Sequence, residues 1–353
     1  MVEITLDYYL KLYGNNPPKF DYDKETLIDL YNGLKNGYVE SGRSLFPVKE
    51  YNRDFYNYII KGKSLYQFVY QFFPNYFEVR TKKFEPLINV FKDNNRLQKS
   101  IDMYNKYYGI KKDFDLTYFI KPVSMSSNVY KAGNFSPFVA KYIYDTFTTD
   151  GDIVFDFSAG FGGRMLGAMA SRNKIHYEGI EPYLPTYEGL NDLYYFFQMG
   201  SDSLLEYNSC ELYNTNIEEF EVPEELINKV SICFSSPPFY DLELYCSQDN
   251  PYAGTQASYL YENKEEFMKG FFGAVVEKSE KMLTKDGLLI VNLKDSDRKK
   301  TVKSFLSFMK TTNFKEVPNG NLLVYMNNMT HGTSLGKKVR TEPIFVFKKK
   351  QGK

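Results

Sequence analysis

Followed by its apolar and polar positions, the chain changes texture at about residue 135. Before that point, segments such as DKETLIDLYNGLKNGY and FEPLINVFKDNNRLQKSIDMYNKYYG repeat apolar residues at the three-to-four spacing of one helix face. Asp23 and the pair Lys82–Lys83 stand where helices are expected to begin. Residues 1–120 therefore read as a mainly helical accessory domain, and the polar, turn-prone KPVSMSSNVYKAGN (121–134) as its connection to the rest. From Phe135 onward short apolar runs alternate with helical ones. DIVFDF leads through a glycine turn into GRMLGAMASR, and HYEGIEP leads into PTYEGLNDLYYFFQM. NSCELYN and VSICFSS follow, then the long helical EEFMKGFFGAVVEKSEKML and GLLIVNL. Strand–helix alternation predicts an open, mostly parallel α/β sheet covered on both faces, in a domain spanning 121–353. NLLVYMNN and TEPIFVFKKK read as two last strands, a hairpin with a long polar loop. No internal repeat is found.

Composition narrows the function classes. A hydrophobic fraction of 43% with 25% charged residues is that of a soluble globular protein. Lys+Arg and Asp+Glu are both 44, so no global field steers a polyanion, and any nucleic-acid contact must come from local patches. The candidates are Arg298, Lys299 and Lys300, and Lys337, Lys338 and Arg340; solvated surface is the other reading of each. The three cysteines (Cys210, Cys233, Cys246) and two histidines (His176, His331) show no metal-ligand spacing, so no metal site is expected. No apolar run suggests a signal peptide or a membrane span, and a reducing cytoplasmic compartment is expected.

Four polar clusters fall at predicted strand ends, where open α/β sheets bind ligands. DFSAGFGGR (156–164) follows the first strand and opens a helix; its glycines allow close backbone approach, as a ligand loop or as a tight turn. Their spacing is not GxGxxG, so no dinucleotide fingerprint is present. GIEP ends the second strand with Glu181, a carboxylate able to accept from both hydroxyls of a ribose if the loop holds a nucleoside. In ELYNTNIEEF, Asn216 and Ile217 are a polar contact and an apolar wall for a purine, or part of a solvated loop. SPPF (236–239) is the sharpest signal, as a site or as a plain strand stop. Consecutive prolines fix the backbone and present a carbonyl with no competing N–H. Ser236 and that carbonyl can both accept from one –NH2 group, and Phe239 or Tyr240 offers a face for a planar ring.

Together these residues resemble the S-adenosylmethionine-dependent amino methyltransferases of DNA bases, and more closely a group of phage and mobile-element modification methylases. Residues 156–164 match the family's cofactor motif, Glu181 its ribose acid, Ser236–Phe239 its catalytic motif, and NFSPFVAKYIYDTF (134–147) its preceding cofactor segment. The likeness covers about residues 120–350. It implies a Rossmann-like, seven-stranded class I methyltransferase sheet binding S-adenosylmethionine. The implied cofactor residues are Phe135, Ser136 and Pro137; Asp156, Ser158, Ala159, Gly160, Phe161, Gly162, Gly163 and Arg164; Glu181 and Pro182; Asn216 and Ile217; and Ser235. Ser236, Pro237, Pro238 and Phe239 would be catalytic. Phe239, Tyr240, Asp241, Lys337, Lys338 and Arg340 would bind the substrate, a DNA base flipped out or offered single-stranded. Arg164 would pair with the cofactor's carboxylate or with an internal acid. Two departures stand out: Phe157-Ser158 replaces the relatives' Pro-Cys, and Ser replaces Asp or Asn before Pro-Pro, which favours N4-cytosine over N6-adenine. Position alone makes residues 1–120 the candidate for target recognition, or for dimerisation or binding a phage or host protein. Rival readings are an RNA base-amine or protein glutamine methyltransferase, a catalytically inactive S-adenosylmethionine-binding protein, and a nicotinamide oxidoreductase, the last disfavoured by the glycine spacing.

Overall fold

The computed structural model describes residues 4–108, 114, 116–199, 208–238, 243–295, 301–326 and 341–350. The N-terminal part runs α1 (Leu6–Tyr13), α2 (Lys24–Lys35), β1 (Ser41–Glu50), β2 (Arg53–Ile60), α3 (Tyr66–Phe72), β3 (Glu85–Pro86), α4 (Ile88–Lys92), α5 (Asn94–Tyr108) and α6 (Leu116–Ser124). Next come β4 (Val129–Tyr130), α7 (Pro137–Phe147), β5 (Ile153–Asp156), α8 (Gly163–Met169), β6 (His176–Ile180), α9 (Leu184–Met199), β7 (Ser209–Tyr213) and β8 (Val230–Ser235). The chain closes with α10 (Ala257–Leu260), α11 (Lys264–Met282), β9 (Leu283–Asn292), α12 (Thr301–Met309), β10 (Phe314–Glu316), β11 (Leu322–Tyr325) and β12 (Thr341–Lys349).

One large sheet organises these elements in the order β1-β2-β11-β12-β9-β8-β5-β6-β7, with β10 also paired to β12. β5 to β9 are mutually parallel, and β12 runs antiparallel between β9 and β11. The order reverses at β5/β8, because β5 connects outward through α8 and α9 to β6 and β7 while β8 and β9 build the other way. That switch point opens a crevice beyond the carboxyl ends of the strands. The seven strands β5–β9, β11 and β12 form a Rossmann-like sheet of the kind the resemblance implies.

Period-two alternation sorts side chains onto two faces. Val154, Ile232, Ile290 and Val346 point to one core, shared with α7, α8 and α9. Phe155, Cys233, Leu289 and Phe345 point to the other, under α11 and α12. No described helix is long and apolar enough to cross a membrane.

The N-terminal region is mainly helical but also contributes two strands to the main sheet. Residues 41–60 form a hairpin, and β2 extends the main sheet by pairing parallel to β11, Leu322 opposite Asn57. SGRSLFPVKE hides this strand from pattern reading: it contains a proline, lacks alternation, and exposes Leu45 and Phe46. The apolar faces of α2 and α3 enter the same core as α8 and α9. Tyr31 donates to the Met169 carbonyl at 2.6 Å, and Asn75 to Thr186 Oγ1 at 2.8 Å.

Local capping explains the helix limits. Asp23 caps α2 through the Thr26 amide, as the sequence suggests. Asp93 accepts from Asn95 and Arg96 and so splits α4 from α5. Lys82–Lys83 open no helix, because the Thr81 hydroxyl accepts from the Lys83 and Phe84 amides and turns the chain into β3. The expected linker begins inside α6, which runs to Ser124.

Phe73, just past α3, is fully buried and meets Phe161 of the glycine loop edge-on at 5.6 Å. Phe73→Ala is expected to cost about 3–5 kcal/mol in urea unfolding in a single transition. The appearance of an early, separate transition would show instead that the two regions unfold independently.

Candidate active site

A cavity of about 220 Å³ lies beyond the carboxyl ends of β5, β6, β8 and β9. It gathers residues far apart in sequence. Ser158, Ala159, Gly160 and Phe161 form its floor, Glu181 and Pro182 one side, and Ser236, Pro237 and Pro238 the opposite side. Phe135 and Arg164 also line it.

The glycine loop turns on two left-handed residues, Gly160 (φ 57°) and Gly162 (φ 71°), which only glycine adopts without strain. Gly163 serves a different need, since a Cβ there would lie 2.1 Å from the Phe135 carbonyl oxygen. The loop is pinned from below by Asp156. This carboxylate is fully buried and accepts from Arg164 Nε (2.7 Å), Tyr177 Oη (2.7 Å) and the Ser158 amide (3.1 Å). Arg164 Nη2 also donates to the Ser158 carbonyl.

Glu181 sits at the cavity edge and accepts from the amides of Gly160 (2.9 Å) and Tyr183 (3.0 Å), one on each carboxylate oxygen. Each oxygen keeps a further lone pair for a ligand hydroxyl. Burial, opposed by those amides, raises its pKa to about 7.

The Ser-Pro-Pro side has a fixed polarity. Asn292, at the end of β9, donates its amide to the Pro343 carbonyl at 3.1 Å. Its carbonyl oxygen therefore faces Ser236, whose hydroxyl must donate to it at 2.9 Å. With its proton so committed, Ser236 Oγ presents only lone pairs to the cavity.

Several expected contacts are placed elsewhere. Asp156 turns inward because Arg164 and Tyr177 saturate it, and Arg164 takes the internal acid as its partner. Ser235 is buried, does not line the cavity, and has its hydroxyl 2.6 Å from Ser158 Oγ. Asn216 caps the turn at Glu219, and Ile217 is packed in the core under α11, so neither lines the cavity. Ser136 and Pro137 are buried at the start of α7, and Gly162 and Gly163 shape the loop from behind; none of the four lines the cavity. Phe239, Tyr240, Asp241, Lys337, Lys338 and Arg340, with Arg298, Lys299 and Lys300, lie outside the described residues.

The structure adds residues that motif reading missed. Asn134 lines the cavity, is 8% exposed, and its Nδ2 has no hydrogen-bond partner among the described residues. Such an orphaned buried donor is costly unless a ligand accepts from it. Lys61, Lys294 and Glu342 form the wall next to Ser236, with Lys294 paired to Glu342. Burial lowers the Lys61 pKa, opposed by Glu342. Lys61 arrives there because its amide continues the β2–β11 ladder to the Tyr325 carbonyl at 2.9 Å. Glu243 also lines the cavity but is engaged by the hydroxyls of Tyr130 (2.5 Å) and Tyr245 (2.7 Å), bracing the chain after the proline motif. None of these carries a sequence signal, because each is defined by a partner on another element.

Removing Arg164 would leave Asp156 buried without its ion-pair partner. Arg164→Met is therefore expected to destabilise by about 3–5 kcal/mol, measured by urea unfolding. A loss below about 1 kcal/mol would mean that the pair does not hold the loop.

No protein-family model matches the chain, and no curated protein does. Solved structures of several methyltransferases align with part of the chain. A tRNA (m1A58) methyltransferase from Aquifex aeolicus is 13% identical, with a TM-score of 0.39 over 63% of this chain and 72% of its own. A SAM-dependent O-methyltransferase from Thermotoga maritima is 10% identical, with a TM-score of 0.39 over 63% of this chain and 68% of its own. A precorrin-6y C5,15-methyltransferase from Geobacter metallireducens is 12% identical, with a TM-score of 0.35 over 60% and 86%.

Proposed function

We propose that this chain transfers a methyl group from S-adenosylmethionine to an exocyclic amine of a DNA base, N4 of cytosine ahead of N6 of adenine. The observation that carries the reading is the enforced acceptor polarity of Ser236 on a rigid Pro-Pro backbone, in the same cavity as Glu181 and the glycine loop. The donor set fits the cofactor. Glu181 would accept from ribose hydroxyls, the glycine loop would admit close approach, and the orphaned Asn134 amide would donate to the amino-acid carboxylate. When bound, S-adenosylmethionine supplies an electrophilic sulfonium methyl.

A base amine is a weak nucleophile because its lone pair is delocalised into the ring. Ser236 Oγ and a proline carbonyl accepting its two N–H groups would favour a pyramidal nitrogen with the lone pair turned outward. The amine loses a proton to water once the new N–C bond has acidified it, so no strong base is needed. Rate enhancement rests on orientation and on hydrogen bonds that strengthen in the transition state. Lys61 and the Lys294–Glu342 pair line the same cavity and would be available to the acceptor's ring edge.

The choice of DNA and of cytosine rests on the Ser-Pro-Pro-aromatic motif. Nucleoside mass spectrometry on DNA and RNA from cells expressing the chain tests it, with Ser236→Ala as control. N4-methylcytosine in DNA, absent with the variant, is the expected result; methylated nucleosides confined to RNA, or none in either, would overturn the DNA reading. In vitro, Ser236→Ala is expected to lower kcat by about 10²-fold with cofactor affinity unchanged. Asn292→Leu, which frees the hydroxyl to point its proton at the acceptor, should lower kcat in the same sense.

Glu181 gives a pH dependence of known sign. Its folded pKa of about 7 exceeds the ordinary 4.5, so between those values the folded chain holds a proton that the unfolded chain has lost. This contribution therefore reduces stability as pH rises through that window. Hydroxyl donors favour the ionised form, so calorimetric cofactor affinity should increase as pH rises from about 6 to about 8, with proton release near neutrality. Glu181→Gln should bind more weakly and without that slope.

A further inference from the structure

A second cluster lies away from the cavity, where the edge strand β7 pairs with β6. His176 and Glu178 share one face of β6, and Glu211 stands directly opposite Glu178 across the ladder. One donor atom from each of the three lies within 4.8 Å of the others. Like charges directly opposite on neighbouring strands are destabilising. Glu178 is only 3% exposed, and its Oε2 has no hydrogen-bond partner among the described residues. A buried carboxylate oxygen left this way is costly unless something positive meets it.

The imidazole is oriented for that purpose. His176 Nδ1 lies 2.6 Å from Ser209 Oγ, and Nε2 faces Glu178 Oε1 at 2.8 Å. A hydroxyl holding one ring nitrogen while the other faces a buried carboxylate is the arrangement in which outer partners fix a metal-ligating histidine. No motif marks these residues in sequence, since His-x-Glu is an ordinary strand pair until Glu211 is brought beside it.

We propose that His176, Glu178 and Glu211 bind a divalent first-row cation of the zinc type. One imidazole and two carboxylates form a mixed N/O ligand set suited to such ions, with coordination positions left for water on the exposed Glu211 side. The ion neutralises the facing carboxylates and clamps the edge strand to β6.

The test is zinc titration of the chelator-stripped full chain by calorimetry, with elemental analysis after gel filtration and a parallel thermal melt. One zinc per chain and a raised Tm are expected. His176→Ala and Glu178→Gln should abolish both while far-UV circular dichroism is unchanged, and Ser209→Ala should weaken affinity about 10-fold. Zinc uptake equal in the wild type and His176→Ala, or no uptake by the stripped wild-type chain, overturns the proposal. The readout does not depend on methyl transfer, so it stands or falls separately from the proposed activity.

Discussion

The buried pair of Asp156 and Arg164 is the constraint on which the site depends. Asp156 ends β5 at the switch point of the sheet, and Arg164 opens α8 on the far side of the glycine loop. Joining them closes the loop like a clasp, and the Tyr177 hydroxyl and Ser158 amide satisfy the remaining acceptor sites. A buried ion pair gains little net stability over apolar packing, but breaking it is expensive, so it fixes one loop geometry. Everything at the cavity floor inherits that geometry. The Gly160 amide is aimed at Glu181 because the loop cannot relax elsewhere.

The N-terminal region completes this site in addition to covering it. Its aromatic side chains pack on α8 and α9, its hairpin extends the sheet, and Lys61 at the end of β2 reaches the cavity wall. Arg80 forms an isolated antiparallel bridge with Leu244, exchanging backbone hydrogen bonds of 3.0 and 2.8 Å. This tethers the segment that follows the proline motif. An accessory role in choosing the acceptor is thus compatible with a direct one in shaping the pocket.

The chemistry proposed here needs neither a titrating histidine nor a reactive thiol among the described residues. Burial holds Cys210, Cys233 and Cys246 above their ordinary pKa, the opposite of activation. What the cavity offers instead is directional: acceptors at Ser236, a carboxylate at Glu181, and an unpaired amide at Asn134. Directional hydrogen bonds set by second partners suit a transfer limited by orientation.

The sequence alone determined what depends on neighbours along the chain. The five parallel strands, the helices between them, the glycine turn, Glu181 and the Ser-Pro-Pro stop were all legible, because periodicity, glycine and proline act locally. Tertiary structure decided what depends on a partner from another element. Asp156 reads as a cofactor contact until Arg164 and Tyr177 saturate it, and Asn216 and Ile217 read as a purine site until the turn and the core claim them. The β1–β2 hairpin was hidden because an edge strand with one weakly buried face carries little alternation. Asn292 gives Ser236 its polarity only because β9, β8 and β12 lie side by side, and His176 meets Glu211 only through the β6–β7 register. A hydrogen-bond direction and a cross-strand charge pair are properties of two residues in space, so no single stretch of chain can announce them.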